Sequence, residues 1–329
     1  KTSAALYMAD YAIFFLLLTA YISLRPLRFD LIHINNMPDF LVFSTVVPRL
    51  MGKPVIHDVH DLMPELYMEK FGTDEKHWMI RFLMLQERWA GRFASAVLTV
   101  EERLRDILSD RGIPREKIEV LMNLPDDRIF SKPDSRSEKS PGSTFVLAYH
   151  GTLARRLGLD VALHAIALVR DAIPEVELRI IGAGEEREPL LKLRDELGLA
   201  DLVTFSEGFV PVESIPELLT DVDVGVVPLR ISSGTDIMLP TKLLEYVSME
   251  IPCLVPKTGT VSRYFDDDMV EFFEAENPAS LAQSMLELYR DPGRRRRKAR
   301  NATERFGETY RWSEHKNVYT NLVDRLLTA

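Results

Sequence analysis

A polar stretch between residues 228 and 246 carries the side chains best suited to bind an anion. An apolar run ends at Pro228, a glycine-containing loop follows, and Pro240 is a residue type that favours the first turn of a helix. The pattern predicts a helix N-terminus at the carboxyl edge of a parallel sheet, where free backbone N–H groups attract phosphate. Lys242 would add a full positive charge in the first turn of that helix.

A carboxylate follows one turn deeper along the same predicted helix. Glu245 lies three residues beyond Lys242 and four beyond Thr241, so helical spacing places it on their face, about 5 Å further along the axis. Phosphate at the helix end and a carboxylate beyond it would suit a nucleoside diphosphate, with Glu245 accepting hydrogen bonds from ribose hydroxyls. On geometry alone, the alternative is an ordinary Lys–Glu pair on a solvated helix.

The elements that must hold these side chains alternate along the chain. Short apolar runs predict strands and amphipathic segments predict helices, a series typical of parallel sheets covered on both faces. Strands are predicted at residues 29–34, 55–59, 96–100, 118–121, 145–149, 177–181, 202–205, 222–227, 252–255 and 270–273. Helices are predicted at residues 40–51, 78–93, 101–111, 159–171, 186–197, 240–249 and 278–289. Residues 131–143 contain no aliphatic side chain and are predicted to form a linker.

The series before the linker is shorter than the series after it. Six predicted strands follow the linker, enough for a full doubly wound sheet, whereas only four precede it and they begin after a helix. Because a βαβ unit needs about 30 residues or more, roughly two units are expected to be absent from the start of the first domain.

Length and composition describe an ordinary folded protein. At about 150 residues a domain, 329 residues predict two domains. The chain is 46% hydrophobic and 28% charged, which argues against disorder, and its net charge of −9 argues against a nucleic-acid-coating protein. The single cysteine, Cys253, excludes an intramolecular disulfide framework and a cysteine-rich zinc module. No signal-peptide pattern follows Lys1, so a cytoplasmic location is expected.

Residues 4–24 complicate that expectation, because their only charge is Asp10. The stretch approaches the length of a membrane span, which is one alternative, but a helix that is buried or lies on a membrane surface is favoured because a buried-strand pattern follows closely. We expect peripheral contact with the cytoplasmic face of the membrane. The side chains facing the acyl boundary would be Phe14, Phe15, Leu17 and Leu18. The basic run at 294–300 is interpreted as a solvated helix start, with attraction to anionic lipid as the alternative.

The motifs together resemble the retaining GT-B glycosyltransferases of family 4, the glycosyl transferases group 1. Residues 240–252 are similar to the donor-site helix of that family, and residues 150–160 to the first strand, loop and helix of its donor domain. Further similar segments recur in matching order at 30–35, 57–61, 120–123, 180–184, 205–209 and 223–228. The likeness covers nearly the whole chain from about residue 25, and it favours the donor-binding interpretation of Glu245 over the solvated pair.

The resemblance implies a fold and an activity. The fold is α/β, with two Rossmann-like parallel-sheet domains facing a cleft: an acceptor-side domain at 1–130, a donor domain at 144–310, and a helix at 311–329 that crosses back. The activity is transfer of a sugar from a nucleoside-diphosphate sugar to a hydroxyl with retention, in cell-surface polysaccharide or glycolipid synthesis. The expected partners are the nucleotide-sugar donor and a lipid-linked or saccharide acceptor, without nucleic acid, and no metal or other cofactor is expected.

The resemblance also implies roles for individual residues. His60 would sit near the acceptor and the reacting sugar, while Lys242 and Arg156 would stabilise the leaving diphosphate as catalytic cations. The family's arginine and lysine in the loop after the first donor-domain strand fall here on Thr152 and Leu157, so Arg156 between them is expected to reach the diphosphate instead. The donor-binding residues are expected to be Glu245, Gly151, Thr152, Arg155, Gly182, Gly184, Gly208, Phe209, Pro240 and Thr241.

Some of these residues have a simpler structural interpretation. Gly182 and Gly184 could form only a tight strand-to-helix turn, and Gly208 with its neighbouring phenylalanine could be a turn and a packed aromatic. His57 alternates in facing with Asp58 on one strand, so it is expected to be a core or supporting residue.

One departure from the family pattern bears on activity. Ile237 stands where the family commonly carries the first of two glutamates, and Asp236 is the nearest carboxylate that could substitute. Two other functions therefore stay open: a GT-B-like sugar-nucleotide epimerase, which would act without an acceptor, and a catalytically silent subunit that binds donor or a partner enzyme.

Overall fold

The computed structural model describes residues 4–132, 143–307 and 309–328, and the chain divides into two compact units. Unit 1 comprises Lys1–Asn123 with His315–Ala329, and unit 2 comprises Leu124–Glu314. Most of the linker predicted at 131–143 lies outside the described residues. The first unit ends at residue 123 rather than at 130, because the following residues belong with unit 2: Asp127 accepts a hydrogen bond from the backbone N–H of Ser313 at 3.1 Å.

Unit 1 begins with a helix and contains one parallel sheet in the order β1-β2-β3-β4, whose strands alternate with further helices. Its strands are β1 Ile32–Asn35, β2 Val55–Val59, β3 Ala96–Thr99 and β4 Ile118–Val120. Its first five α-helices are α1 Ala4–Ser23, α2 Val46–Leu50, α3 Met63–Phe71, α4 Trp78–Phe93 and α5 Glu102–Asp110. Short 3₁₀ turns lie at Pro26–Arg28, Asp39–Thr45 and Arg115–Lys117.

Unit 2 contains a six-stranded parallel sheet in the order β10-β9-β8-β5-β6-β7. Its strands are β5 Phe145–His150, β6 Val176–Ile181, β7 Val203–Phe205, β8 Val224–Val226, β9 Cys253–Pro256 and β10 Glu271–Phe273. Its helices are α6 Leu159–Val169, α7 Arg187–Glu196, α8 Ile215–Leu218, α9 Thr241–Ser248, α10 Val261–Tyr264, α11 Pro278–Arg290 and α12 Pro292–Ala302, with 3₁₀ turns at Arg155–Leu157 and Val212–Ser214 and a π turn at Thr303–Gly307. Helices α13 Trp312–His315 and α14 Asn317–Thr328 end the described chain.

The strand order of unit 2 reverses direction between β5 and β8. From β5 the chain adds β6 and β7 on one side, then returns to place β8, β9 and β10 on the other. Doubly wound sheets bind ligands at the carboxyl edge where the strand order reverses. The loops that leave β5 and β8 meet beside this edge, because the N–H of Arg230 donates to the carbonyl of Arg156 at 3.1 Å. The predicted α/β class with two parallel sheets is confirmed.

The sheet of unit 1 has helices on both faces. Right-handed crossovers that all step in one direction place α2, α3, α4 and α5 on one side of the sheet. Helix α1 contacts both α2 and the turn at Asp39–Thr45, so it extends that same layer. The opposite face is covered by α14, whose Leu322 is buried with Ile56 and Leu98. The C-terminal helix thus returns to the first unit, as the sequence predicts.

Three predicted elements differ in the structure. The helix predicted at 40–51 is a 3₁₀ turn followed by the short α2, and the strand predicted at 29–34 starts only at Ile32, where its pairing with Val55 begins. The basic run at 294–300 does lie near the start of a helix, α12, but it is not solvated throughout: Arg294 binds Glu271, and the buried Lys298 donates to the carbonyl of Val270 at 2.8 Å.

Helix α1 is only partly covered by its own unit. The ring of Phe15 meets that of Phe40 edge-on at 5.5 Å, whereas Phe14 and Leu17 on the same helix are exposed. Among the described residues, no helix is both long and apolar enough to cross a membrane.

A buried ion cluster links α3, α4 and the end of α5. Arg111 binds Glu65 of α3 and donates to both carboxylate oxygens of Glu87 on α4, at 3.2 and 3.1 Å. Burial raises the pKa of Glu87 to about 8, against the opposing charge of Arg111. One guanidinium therefore serves two buried carboxyl groups, and Glu87 holds its proton at neutral pH.

We expect this proton to make stability fall as pH rises. An unfolded glutamate ionises near its ordinary pKa of 4.5, whereas folded Glu87 stays protonated up to about pH 8. Between these values only the unfolded chain releases the proton, so rising pH favours unfolding. In Glu87→Gln, the loss in free energy of unfolding between acidic and mildly alkaline pH should shrink by about 1 kcal/mol or more. Denaturant titrations across that range measure it, with the exposed Glu196→Gln as control; equal pH dependence in all three proteins would contradict the assignment.

Candidate active site

The N-terminus of α9 lies at the end of β5, where the strand order reverses. Pro240 immediately precedes the helix, Thr241 is its first residue and Lys242 its second. The ammonium of Lys242 lies 4.9 Å above the ring of Tyr149, whose hydroxyl donates to the carbonyl of Thr152 at 2.5 Å. The side chain of Lys242 is thereby held against the end of strand β5 instead of extending into solvent.

The environment of Lys242 weakens its hold on its proton. Burial lowers the pKa of Lys242 to about 8; the charge of Glu245 opposes this shift, and that of Arg156 adds to it. In the part of the chain that the structure describes, no direct ion pair offsets the burial of this ammonium, so a bound anion would stabilise its charged form and raise the pKa again. The position is suited to an anionic ligand.

Glu245 is tied to a residue that sequence reasoning missed. His150 ends β5, is buried, and shares a hydrogen bond between its Nε2 and Oε2 of Glu245. The His150 ring also meets the Tyr246 ring edge-on at 4.8 Å, and the Tyr246 hydroxyl donates to the carbonyl of Ala148 at 2.7 Å. These contacts fix the face of α9 against β5. The sequence signal for His150 was its place at the end of a strand, directly before a glycine.

The loops that follow β5 and β6 touch through their backbones. The N–H of Gly151 donates to the carbonyl of Ile181, and that of Leu153 to the carbonyl of Ala183, each at 2.9 Å. Gly182 has φ +145°, and a Cβ there would collide with the carbonyl oxygen of Gly151. A Cβ on Gly184 would likewise collide with Leu153. These glycines are required for the close approach of the two loops, a structural role that leaves Gly151 next to Lys242.

A serine extends this contact to the loop after β7. Ser206 accepts a hydrogen bond from the N–H of Gly182 and donates to the carbonyl of Gly208, both at 2.9 Å. Phe209 follows and is almost wholly exposed, so it is not the packed core aromatic of the simpler interpretation. The carboxyl edge thus presents three connected loops, with Phe209 projecting from the last.

The two predicted arginines lie in the 3₁₀ turn at Arg155–Leu157 and are exposed. The charge of Arg156 contributes to the lowered pKa of Lys242. The carbonyl of Arg155 accepts a hydrogen bond from Nε of Arg230 at 3.2 Å. The electrostatics therefore favour Arg156 over Arg155 as a second cation beside Lys242.

Asp236, the nearest carboxylate to Ile237, is used by the fold. Its Oδ1 accepts a hydrogen bond from the N–H of Gly259 at 2.8 Å, and its carbonyl accepts from that of Thr260 at 3.1 Å. Asp236 anchors the loop after β9, so a substitute role would require it to leave these contacts.

In unit 1, a hydrogen-bonded chain leads from the C-terminal helix to His60. Oδ2 of Asp58 lies 2.9 Å from Nε2 of His33 and 3.2 Å from Nε2 of His60, and Nδ1 of His33 lies 3.0 Å from the hydroxyl of Tyr319 on α14. A carboxylate only accepts, so both imidazoles present an N–H to Asp58. Nδ1 of His60 is left for other partners.

These bonds shift two pKa values. Burial acts to raise the pKa of Asp58, but the hydrogen bonds from His33 and His60 hold it well below its ordinary value. The bond to Asp58 raises the pKa of His60, against partial burial. The His60 side chain keeps 45% of its surface exposed, so a ligand can reach it.

The backbone and the opposite face of β2 complete this arrangement. The amide oxygen of Asn36 accepts from the N–H of His60 at 3.2 Å, and its amide nitrogen donates to the carbonyl of Asp61 at 2.6 Å. His57 is buried on the other face of β2, with its Nε2 3.3 Å from Oδ1 of Asp39. Within the described ranges, no group of three His, Cys, Asp or Glu side chains is placed to hold a metal ion.

The comparison with known protein families agrees with this geometry. A family model described as Glycosyl transferases group 1 matches residues 131–305, more than half of the chain. The chain belongs to this glycosyltransferase family. A second model, the glycosyl transferase 4-like domain, matches residues 6–123 of the glycosyltransferase.

Two curated relatives show how far sequence similarity extends. The 2-deoxystreptamine glucosyltransferase of Streptomyces kanamyceticus is 28% identical over 223 residues, which cover 64% of this chain and 57% of the relative. The putative colanic acid biosynthesis glycosyltransferase WcaL of Escherichia coli K12 is 27% identical over 205 residues, which cover 62% of this chain and 46% of the relative. The matched part of the glycosyltransferase therefore spans about half the length of these relatives.

Solved structures share its fold. Sucrose-phosphate synthase from Thermosynechococcus elongatus superposes with a TM-score of 0.74 at 18% identity, covering 96% of this chain and 77% of that one. Anabaena HepE in complex with UDP gives a TM-score of 0.71 at 17% identity, covering 94% of this chain and 82% of that one. The glycosyltransferase has the GT-B fold, as its sequence motifs predict.

We expect Asp58 to set the protonation of His60 in the glycosyltransferase. Asp58→Asn removes the carboxylate that raises the pKa of His60, so that pKa should fall. Histidine NMR titration measures it, with the His60 signal assigned by its loss in His60→Gln. Tyr319→Phe is the matched control, because it removes only the hydroxyl that contacts His33 and keeps both hydrogen bonds to Asp58. An unchanged His60 titration in Asp58→Asn would contradict the pairing.

Proposed function

We propose that the chain transfers a sugar from a nucleoside-diphosphate sugar to a hydroxyl acceptor, with retention of anomeric configuration. The observation that carries the proposal is the site at the start of α9, where Lys242 has a lowered pKa and Glu245 is oriented by His150. A buried cation that has no ion partner among the described residues, beside an oriented hydrogen-bond acceptor, suits a ligand with a phosphate end and a hydroxyl end. The UDP bound in the Anabaena structure of the same fold supports this class of ligand.

The diphosphate is proposed to meet the N-terminus of α9, Lys242 and Arg156. Charge on the leaving diphosphate grows as the glycosidic bond breaks, so fixed cations and helix N–H groups there would stabilise the transition state more than the bound donor. We assign no protein nucleophile: Ile237 cannot act as one, and Asp236 is bonded to Gly259. In this proposal the leaving oxygen takes up the acceptor proton, the site needs no metal, and His60 orients the sugar or the acceptor.

Polysaccharide or glycolipid synthesis at the cytoplasmic membrane face is the proposed setting. The named role of the Escherichia coli relative, colanic acid biosynthesis, supports a saccharide or lipid-linked acceptor. Peripheral membrane contact through residues 4–24 is supported by the exposed apolar side chains Ile13, Phe14, Leu16 and Leu17.

A set of reactions separates this function from the two alternatives. The chain would be incubated with UDP-, GDP- and TDP-sugars, with and without saccharide or polyprenyl-linked acceptors. Diphosphate release that depends on acceptor, with a product whose anomeric configuration matches the donor by NMR, is the expected result. Conversion of the sugar nucleotide without acceptor would indicate an epimerase. Donor binding without turnover would indicate a silent subunit, which the missing carboxylate at Ile237 favours over the epimerase.

Loss of the Glu245 carboxylate should weaken nucleoside-diphosphate binding. If Glu245 accepts from ribose hydroxyls, Glu245→Ala should cost about 1–3 kcal/mol of binding free energy by calorimetry. His150→Phe keeps the carboxylate but releases its orientation, so it should cost less. The control is Glu196→Ala, which removes an exposed glutamate from α7. Binding by Glu245→Ala that equals the control would exclude the ribose role.

Diphosphate affinity should also fall at alkaline pH. Free Lys242 loses its proton near pH 8, so nucleoside-diphosphate binding should weaken by up to about tenfold per pH unit above that value. Lys242→Arg should flatten the profile, and Lys242→Ala should bind weakly at every pH. The exposed Lys192→Ala should keep the parental profile. A parental profile that is flat between pH 7 and 10 would contradict the placement of Lys242 at the diphosphate.

A further inference from the structure

Helix α4 exposes a second apolar face, in addition to the one it buries. Ile80, Leu83 and Ala90 are buried, as expected of a helix on a sheet. On the outer side, four large side chains repeat at helical spacing and stay open to solvent: Trp78 at 68%, Phe82 at 51%, Leu85 at 40% and Trp89 at 56%. The stripe has a tryptophan at each end and spans about 16 Å at 1.5 Å per residue.

The charges beside this stripe are all positive. Arg81, Arg88 and Arg92 follow it along α4, and the single acid of the helix, Glu87, is buried in the cluster with Arg111. In the described residues Arg81 makes no ion pair. A basic apolar face therefore stands out in a chain whose net charge is −9. Such a face is complementary to an anionic surface that also offers apolar depth.

The stripe belongs to a larger apolar surface on the same layer. Both α4 and α1 contact the turn at Asp39–Thr45, on the side of the sheet opposite α14. Exposed apolar side chains also lie on α1 and at Leu50, the end of α2. Most large exposed apolar side chains of the described chain lie in unit 1, so the stripe stands in the more apolar surface of the two units.

We propose that α4 lies in the interface of an anionic lipid bilayer, with the face of Trp78, Phe82, Leu85 and Trp89 directed into the boundary between headgroups and acyl chains. Large apolar and aromatic side chains on one face, with arginines beside them, are typical of a helix that lies in the membrane plane. The proposal builds on the proposed peripheral contact of residues 4–24 and adds a second element to it. It does not depend on catalysis.

Intrinsic fluorescence tests the contact directly, because the chain has three tryptophans and two of them lie in the stripe. In a Trp312→Phe background, emission reports Trp78 and Trp89 alone. Phosphatidylglycerol–phosphatidylcholine vesicles should shift this emission to shorter wavelength and brominated lipid should quench it, whereas phosphatidylcholine alone should do so weakly. Raised salt should weaken the effect, because screening reduces the attraction of the arginines. Unchanged emission with anionic vesicles at low salt would overturn the proposal.

Flotation with the same vesicles assigns the binding to its elements. Trp78→Ser/Trp89→Ser should reduce the bound fraction by about tenfold, and Arg81→Glu should reduce binding to anionic vesicles only. Leu168→Ser, on an exposed apolar residue of α6, should bind like the parent. Phe14→Ser/Leu17→Ser reports α1 separately. If only this variant loses vesicle binding, the α1 contact is supported and the α4 contact is overturned. Tryptophan variants that bind like the parent, or that instead abolish self-association in solution, would also overturn it.

Discussion

Pairing of ionisable groups at the ends of buried strands is the constraint on which both candidate sites depend. Removing a charge from water costs several kcal/mol unless a partner receives it, so a parallel sheet with polar residues at its carboxyl edge must supply partners there. Unit 2 meets this requirement by joining Glu245 to His150, and unit 1 by placing Asp58 between His33 and His60. The hydrogen-bonded pairs that offset the cost of burying these groups also determine which of their atoms can face a ligand.

Sequence reasoning predicted the sheets well, because strands buried on both faces leave continuous apolar runs. It predicted α4 with its observed ends and missed α3, whose Pro64 and charged residues resemble a loop when read alone. Which strands become neighbours was not readable either. The strand order of unit 2 depends on tertiary packing, and it is this order that places the end of β5 beside α9.

The candidate site, like the fold, was predictable from sequence only where it depends on local spacing. Local spacing places Lys242 and Glu245 on one helical face, and no long-range information is needed for that. Their partners are distant in sequence: His150 and Glu245 are 95 residues apart, and His33 and Tyr319 are 286 apart. Histidine spacing along the chain cannot reveal such contacts, because they exist only once two elements have docked. The use of Asp236 to anchor a backbone loop was hidden for the same reason.

The bond between His150 and Glu245 also decides how the proposed donor would be held. His150 takes one of the two acceptor positions of Oε2 of Glu245, which leaves Oε1 without a hydrogen-bond partner in the described residues. A carboxylate already fixed in this way loses little side-chain freedom when a ligand binds, so more of its hydrogen-bond energy appears as affinity. The contact of His150 with Tyr246 and the bond from Tyr246 to Ala148 dock the same helix on β5. The same contacts therefore stabilise α9 against β5 and orient the proposed ribose acceptor. Selection on either function or folding would preserve them.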